Sequence, residues 1–151
     1  MSRLYKQVVD GITDAMRNKD KVRLATLRDA KSKFVLEQTK TGTSDILEDS
    51  KVIKILSKLR RQRIDTAEVY KSQGREDLAE DELAEAEILS DFLPKALSED
   101  EVKAEVEDII SRLGAKEMGD MGKVMGVASR EMAGRAEGKV ISQFVREILN
   151  S

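Results

Sequence analysis

Apolar residues recur every three or four positions along most of the chain, a period that predicts helices. Leu4, Val8, Ile12 and Met16 step by four along a first helix, for which Ser2 is a fitting N-cap. Asp20 is placed to cap a second helix, where Leu24, Leu27, Ala30, Phe34 and Val35 make an apolar face broad enough for a central position. After a loop at residues 41–45, Asp49 or Ser50 opens a long third helix, with Val52, Leu56, Leu59, Ala67 and Tyr70 on one side and Gly74 as its C-cap. A fourth helix has to stop at residues 91–93, because Pro94 pushes its predecessor out of helical geometry.

Ser98 and Glu101 then have the Ser-x-x-Glu spacing of a capping box. A stop signal followed by a fresh start signal predicts a domain boundary there. Residues 1–94 are expected to form an N-terminal helical hairpin or bundle. Residues 95–151 are expected to form a small three-helix module, with helices at about 99–113, 119–133 and 137–150 separated by Gly114 and by Gly134 and Arg135. Strand-like alternation and internal repeats are both missing, so the expected fold class is all-α.

Composition supports that class. Leu, Ile, Val and Phe make up about a quarter of the residues, enough for a core, while a single Pro and few aromatics argue against a β-sandwich or barrel. The absence of Cys excludes disulfides, thiolate metal sites and cysteine nucleophiles. The absence of His removes the commonest general base and metal ligand, so no catalytic residue, cofactor or metal site is expected. No apolar run approaches the length of a membrane span, and the first residues enter an amphipathic pattern without a signal-peptide core. The expectation is a cytoplasmic protein with no membrane partner.

A net charge of −2 conceals a strong asymmetry: residues 1–43 carry +5, residues 44–74 +2, residues 75–110 −11 and residues 111–151 +2. Lys51, Lys54, Lys58 and Arg61 share one face of the third helix, and the acidic segment follows across a tight turn, so pairing between antiparallel helices explains both blocks. Arg63 falls inside the apolar stripe by spacing and is expected to snorkel to an acidic neighbour.

The second helix of the C-terminal module holds the most informative chemistry. Met121, Met125, Ala128 and Met132 form a stripe that reads as core. Gly122, Gly126 and Ser129 form a ridge of small side chains beside it, and each helical Gly costs about 1 kcal/mol relative to Ala, so a second body is expected to approach closely. That body is another helix or a phosphate backbone. Lys123 and Arg130 project opposite the Met stripe, and Arg135, Gly138 and Lys139 crowd the start of the last helix, whose free N–H groups and partial positive charge suit an anion. The candidate binding residues are therefore Lys123, Arg130, Arg135, Lys139, Gly122, Gly126 and Gly138.

Residues 117–126, Glu-Met-Gly-Asp-Met-Gly-Lys-Val-Met-Gly, followed by residues 134–143, Gly-Arg-Ala-Glu-Gly-Lys-Val-Ile-Ser-Gln, resemble the signature of the GatB/YqeY family. Residues 74–97 and 24–36 resemble other parts of that family's stand-alone members. The resemblance implies a two-part helical protein whose C-terminal module is similar to the tail domain of the B subunit of the aminoacyl-tRNA amidotransferase. In that complex, Glu or Asp mischarged on tRNA becomes Gln or Asn with ammonia from glutamine, and the tail domain holds tRNA without doing chemistry. The chemistry resides in an amidase subunit and a large metal-dependent domain, and this chain shows neither a Ser-Ser-Lys amidase arrangement nor a Gly-rich nucleotide loop. Within the motif, Glu137 stands where the family more often has Asp or Asn, which are better caps.

The expected function is thus a non-catalytic adaptor that binds tRNA or another structured RNA through shape and phosphate. Two alternatives stand beside it: a protein-interaction module for a partner in the translation or amidotransferase machinery, and an accessory subunit of a carbon-nitrogen ligase that uses glutamine as amido donor.

Overall fold

The computed structural model describes residues 2–40, 42 and 47–151, and among them it contains seven α-helices and no strand. The loop expected at residues 41–45 lies mostly outside the described residues. The chain divides into two compact units, residues 1–93 and 94–151, each with its own apolar core.

The first unit contains α1 (Arg3–Arg17), α2 (Lys21–Lys40), α3 (Asp49–Ser72) and α4 (Glu76–Ser90). Ser2 caps α1 by accepting the Tyr5 N–H, and Asp20 caps α2 by accepting the Arg23 N–H at 3.1 Å. Asp49 does not cap its own helix. It is the first residue of α3, and its carboxylate accepts the Leu4 N–H at 3.0 Å, so it satisfies one of the orphan donors at the start of α1 instead. Gly74, at φ +72°, supplies the left-handed residue that turns α3 back into α4. The core of this unit holds Val8, Leu27, Phe34, Val52, Leu56 and Leu89, with Tyr5 tilted against Phe34 at 5.1 Å between ring centroids.

Three sequence expectations for this unit are corrected. Met16 is 47% exposed, whereas Ala15 is 1% exposed and takes the core position. Steps of four advance about 40° beyond a full turn each time, so a stripe spaced by four leaves the core after three steps. Val35 is exposed for a related reason, since it follows Phe34 by about 100° around α2. The acidic helix α4 is met by arginines and not by the lysine face of α3: Arg63 reaches Glu85 at 3.4 Å and Glu82 at 3.8 Å, and Arg60 donates to the Ser90 hydroxyl. Lys51 pairs with Glu37 of α2, and Arg61 with Asp65 on its own helix. Arg63 also binds Asp29 at 2.9 Å, and its expected snorkelling is observed.

The second unit contains α5 (Glu99–Leu113), a 3₁₀ turn (Met118–Asp120), α6 (Met121–Glu131) and α7 (Gly138–Leu149). The capping box is complete: the Ser98 N–H donates to Glu101 Oε1 at 3.1 Å and the Glu101 N–H to Ser98 Oγ at 3.2 Å. Gly114 ends α5 in the left-handed region at φ +65°. The core between the three helices is built from Val102, Val106, Ile109, Val124, Ala128, Met132, Ile141 and Val145.

Candidate nucleic-acid interface

Helix α6 is set in place by its entry turn. The Asp120 carboxylate accepts the backbone N–H groups of Lys116 at 3.0 Å and Glu117 at 3.4 Å, and these bonds, with a smaller contribution from Lys123, hold its carboxyl below the usual carboxylate range. The tight turn occupies residues 118–120, so regular helix begins at Met121, two residues later than periodicity suggests.

Val124, Ala128 and Met132 face the core, with Met121 and Met125 half-buried beside them. The sequence stripe thus had the right side of the helix but missed Val124 as a member. On the other side, Gly122 and Gly126 are exposed, and a Cβ built at either would meet nothing within 4 Å. No helix of this unit, among the described residues, therefore requires those glycines to be small. Lys123 and Arg130 are exposed and seven residues apart, about 10 Å along the helix axis. Neither makes an ion pair with a described residue; the Arg130 guanidinium folds back toward the Gly126 carbonyl at 3.4 Å.

Gly138 opens α7, is exposed, and leaves open space where a side chain would stand. Lys139 follows it, also exposed and outside any ion pair with a described residue. Glu137 occupies the N-cap but makes no side-chain capping bond, in keeping with its poor capping chemistry, so the first N–H groups of α7 receive no side-chain cap.

Arg135 behaves differently. It is half-buried, with Nη1 3.5 Å from Glu105 and Nη2 donating to the Glu131 carbonyl at 2.6 Å, while its own carbonyl accepts the Leu97 N–H at 2.8 Å. Arg135 ties the α6–α7 connection to α5 and to the residues before α5. Three of the four expected cations are thus exposed and outside ion pairs, and the fourth is engaged within the fold. Beside it lies an open groove of about 480 Å³ that sequence reasoning missed, lined by Ala104, Glu105, Asp108, Ile109, Arg112, Glu131 and Arg135. Its rim is closed electrostatically: Arg112 grips both oxygens of Glu131 at 2.8 and 2.9 Å and takes Asp108 at 3.0 Å. The spacing of Asp108 and Arg112 by four residues was the only sequence signal for this network.

Among the described residues no cluster of acidic side chains could hold a metal ion, and no helix is long and apolar enough to cross a membrane. Exposed cations and helix N–H groups without a side-chain cap are chemistry that can hold an anion.

Comparison with known proteins places the chain in a family. Residues 5–149 match the model of a family described as Yqey-like protein. A stretch of 55 residues is 36% identical to a glutamyl-tRNA(Gln) amidotransferase subunit of Methanobrevibacter smithii, and covers 34% of this chain and 9% of that protein. A stretch of 54 residues is 41% identical to the corresponding glutamyl-tRNA(Gln) amidotransferase subunit of Thermococcus gammatolerans, and covers 33% of this chain and 9% of that protein. The chain is therefore related to a small part of the amidotransferase subunits, in accord with the likeness to their tail domain.

Proposed function

The chain belongs to the Yqey-like protein family, and from that premise we propose that its C-terminal unit, residues 95–151, holds tRNA or another structured RNA by its backbone and does no chemistry. The observation that carries this reading is the pairing of exposed cations outside ion pairs, Lys123, Arg130 and Lys139, with glycines at 122, 126 and 138 that the fold does not itself need small. The names of the relatives, subunits of an enzyme acting on glutamyl-tRNA(Gln), support an RNA as the polyanion. Recognition is by phosphate and shape, because no aromatic side chain stands among the candidate residues to stack on a base. A tRNA ligand carries a cytoplasmic location with it. Residues 1–94 form the N-terminal domain that accompanies this module.

Three phosphate contacts give a slope of log affinity against log salt of roughly −2 to −3. Titrating a tRNA transcript at several salt concentrations tests this, with Lys123→Gln and Lys139→Gln each expected to make the slope shallower by about 1. Affinity that is absent or indifferent to salt overturns the reading. The open glycine ridge also suits a partner helix, the second reading. There, Gly126→Leu breaks a protein complex while the two lysine changes leave it intact.

A further inference from the structure

The N-terminal unit leaves a set of lysines unused by its own fold. Three of its arginines are engaged at helix seams: Arg63 with Asp29, Glu82 and Glu85, Arg23 with Asp91, and Arg60 with Ser90. The register of α2 against α3 follows from two of the pairs. Lys51 meets Glu37 at 3.3 Å and Arg63 meets Asp29 at 2.9 Å, so the two helices run antiparallel. Lys33, between Asp29 and Glu37 on α2, comes opposite the middle of that stretch of α3, and Lys40 comes near the beginning of α3. On α3 itself, Lys51, Lys54 and Lys58 share a face by their spacing of three and seven.

Lys33, Lys40, Lys51, Lys54 and Lys58 are all exposed, and Lys51 alone among them is in an ion pair with a described residue. The carboxylates nearby among the described residues are Glu37, which is that partner, Asp29, which is paired with Arg63, Glu48 at the start of α3, and Asp49, which is committed to the Leu4 N–H. Gathering like charges this way works against stability unless an external anion offsets them. The carboxylates of α4 do not do so, because α4 packs along α3 through the side that carries Arg60 and Arg63.

We infer that this lysine-lined seam between α2 and α3 is a second surface for the phosphate backbone of a structured RNA, additional to the face on α6 and α7. The inference rests on the RNA reading of the C-terminal unit for the identity of the polyanion. Lysine, a strongly hydrated point charge on a flexible stem, suits phosphates met in varied geometry. A protein partner requires a desolvated apolar centre with aromatic or arginine anchors, and lysine is depleted from such centres. Here Val35 and Leu36, 46% and 63% exposed, are the large apolar side chains between Lys33 and Lys40 on α2, and about 100° separates them around the helix. Two such side chains are also far short of the apolar face an interfacial membrane helix requires.

The test uses the full chain and a tRNA transcript. A triple variant, Lys33→Gln, Lys54→Gln and Lys58→Gln, is compared with the double variant Lys123→Gln and Lys139→Gln, both checked for unchanged helical content and melting. If the seam contacts RNA, the triple variant makes the salt slope shallower by about 2 and weakens low-salt binding at least tenfold, while the double variant has its own separate effect. If the triple variant matches the parent and the double variant weakens binding, the inference falls and the reading of α6 and α7 stands. If only the triple variant weakens binding, the inference holds and that reading falls. If neither changes binding, both fall.

Discussion

Arg63 shows how much one side chain can be asked to balance. It faces three carboxylates, those of Asp29, Glu82 and Glu85, with its own side chain 22% exposed. Desolvation, the largest influence on Glu85, pushes its carboxyl above the usual range, with the charges of Glu82, Asp29 and Asp81 adding to it and Arg63 opposing. A carboxyl whose pKa is raised by folding stabilises the native state when protonated, and that contribution fades as pH rises through its folded value. Glu85→Gln, which mimics the protonated form, is therefore expected to raise the melting temperature slightly at pH 7, by less than about 1 kcal/mol in stability given its partial exposure. The gain is expected to vanish at pH 4, where the native carboxyl is itself protonated; thermal melts at the two pH values check both signs. The position of Arg63 in an apolar stripe was legible from spacing alone. The engagement of Arg135 was not, because its partner Glu105 lies thirty residues away on another helix and only the folded packing brings them together.

At the scale of the helix, the same residue type serves opposite ends. A Cβ at Gly11 in α1 would stand 3.0 Å from Leu27 Cδ1 and 3.1 Å from Phe92 Cζ, and Leu27 is fully buried. Gly11→Ala is expected to lose up to about 2 kcal/mol, overpacking outweighing the better helix propensity. A Cβ at Gly126 in α6 meets nothing, so Gly126→Ala is expected to gain up to about 1 kcal/mol. Chemical denaturation of the two variants gives the two signs directly. Sequence could not separate them, since both glycines sit inside helical periodicity and only the neighbours differ. The helix ends were more legible: Ser2, Asp20 and the Ser98–Glu101 box act as their chemistry predicts. Asp49 opens α3 as expected, and where the reading slipped, at the start of α6, a polar side chain had found backbone donors ahead of its own helix.

For the molecule as a whole, two separate cores mean that damage should stay where it is made. Phe34 is fully buried in the first core, whereas Phe144 is only partly buried against the second. Phe34→Ala is expected to cost about 3–5 kcal/mol in the first unit. Hydrogen exchange should then quicken through residues 1–93 while the amides of residues 94–151 keep their parent rates. The all-helical class was visible in periodicity and composition because both are averages over many residues. The electrostatic plan was not, because charge counts along the chain do not tell which carboxylate each cation meets. The acidic block of residues 75–110 is divided between α4 and α5, so it belongs to two different units.

The bare ridge on α6 has a consequence for selection. A screen that rewarded only endurance on heating would fill positions 122 and 126 with alanine, since the fold itself gains from both changes. If the proposed RNA contact holds, survivors of such a screen would be sturdier and worse at gripping that RNA, which would make these two positions the place where robustness and hold are set against each other.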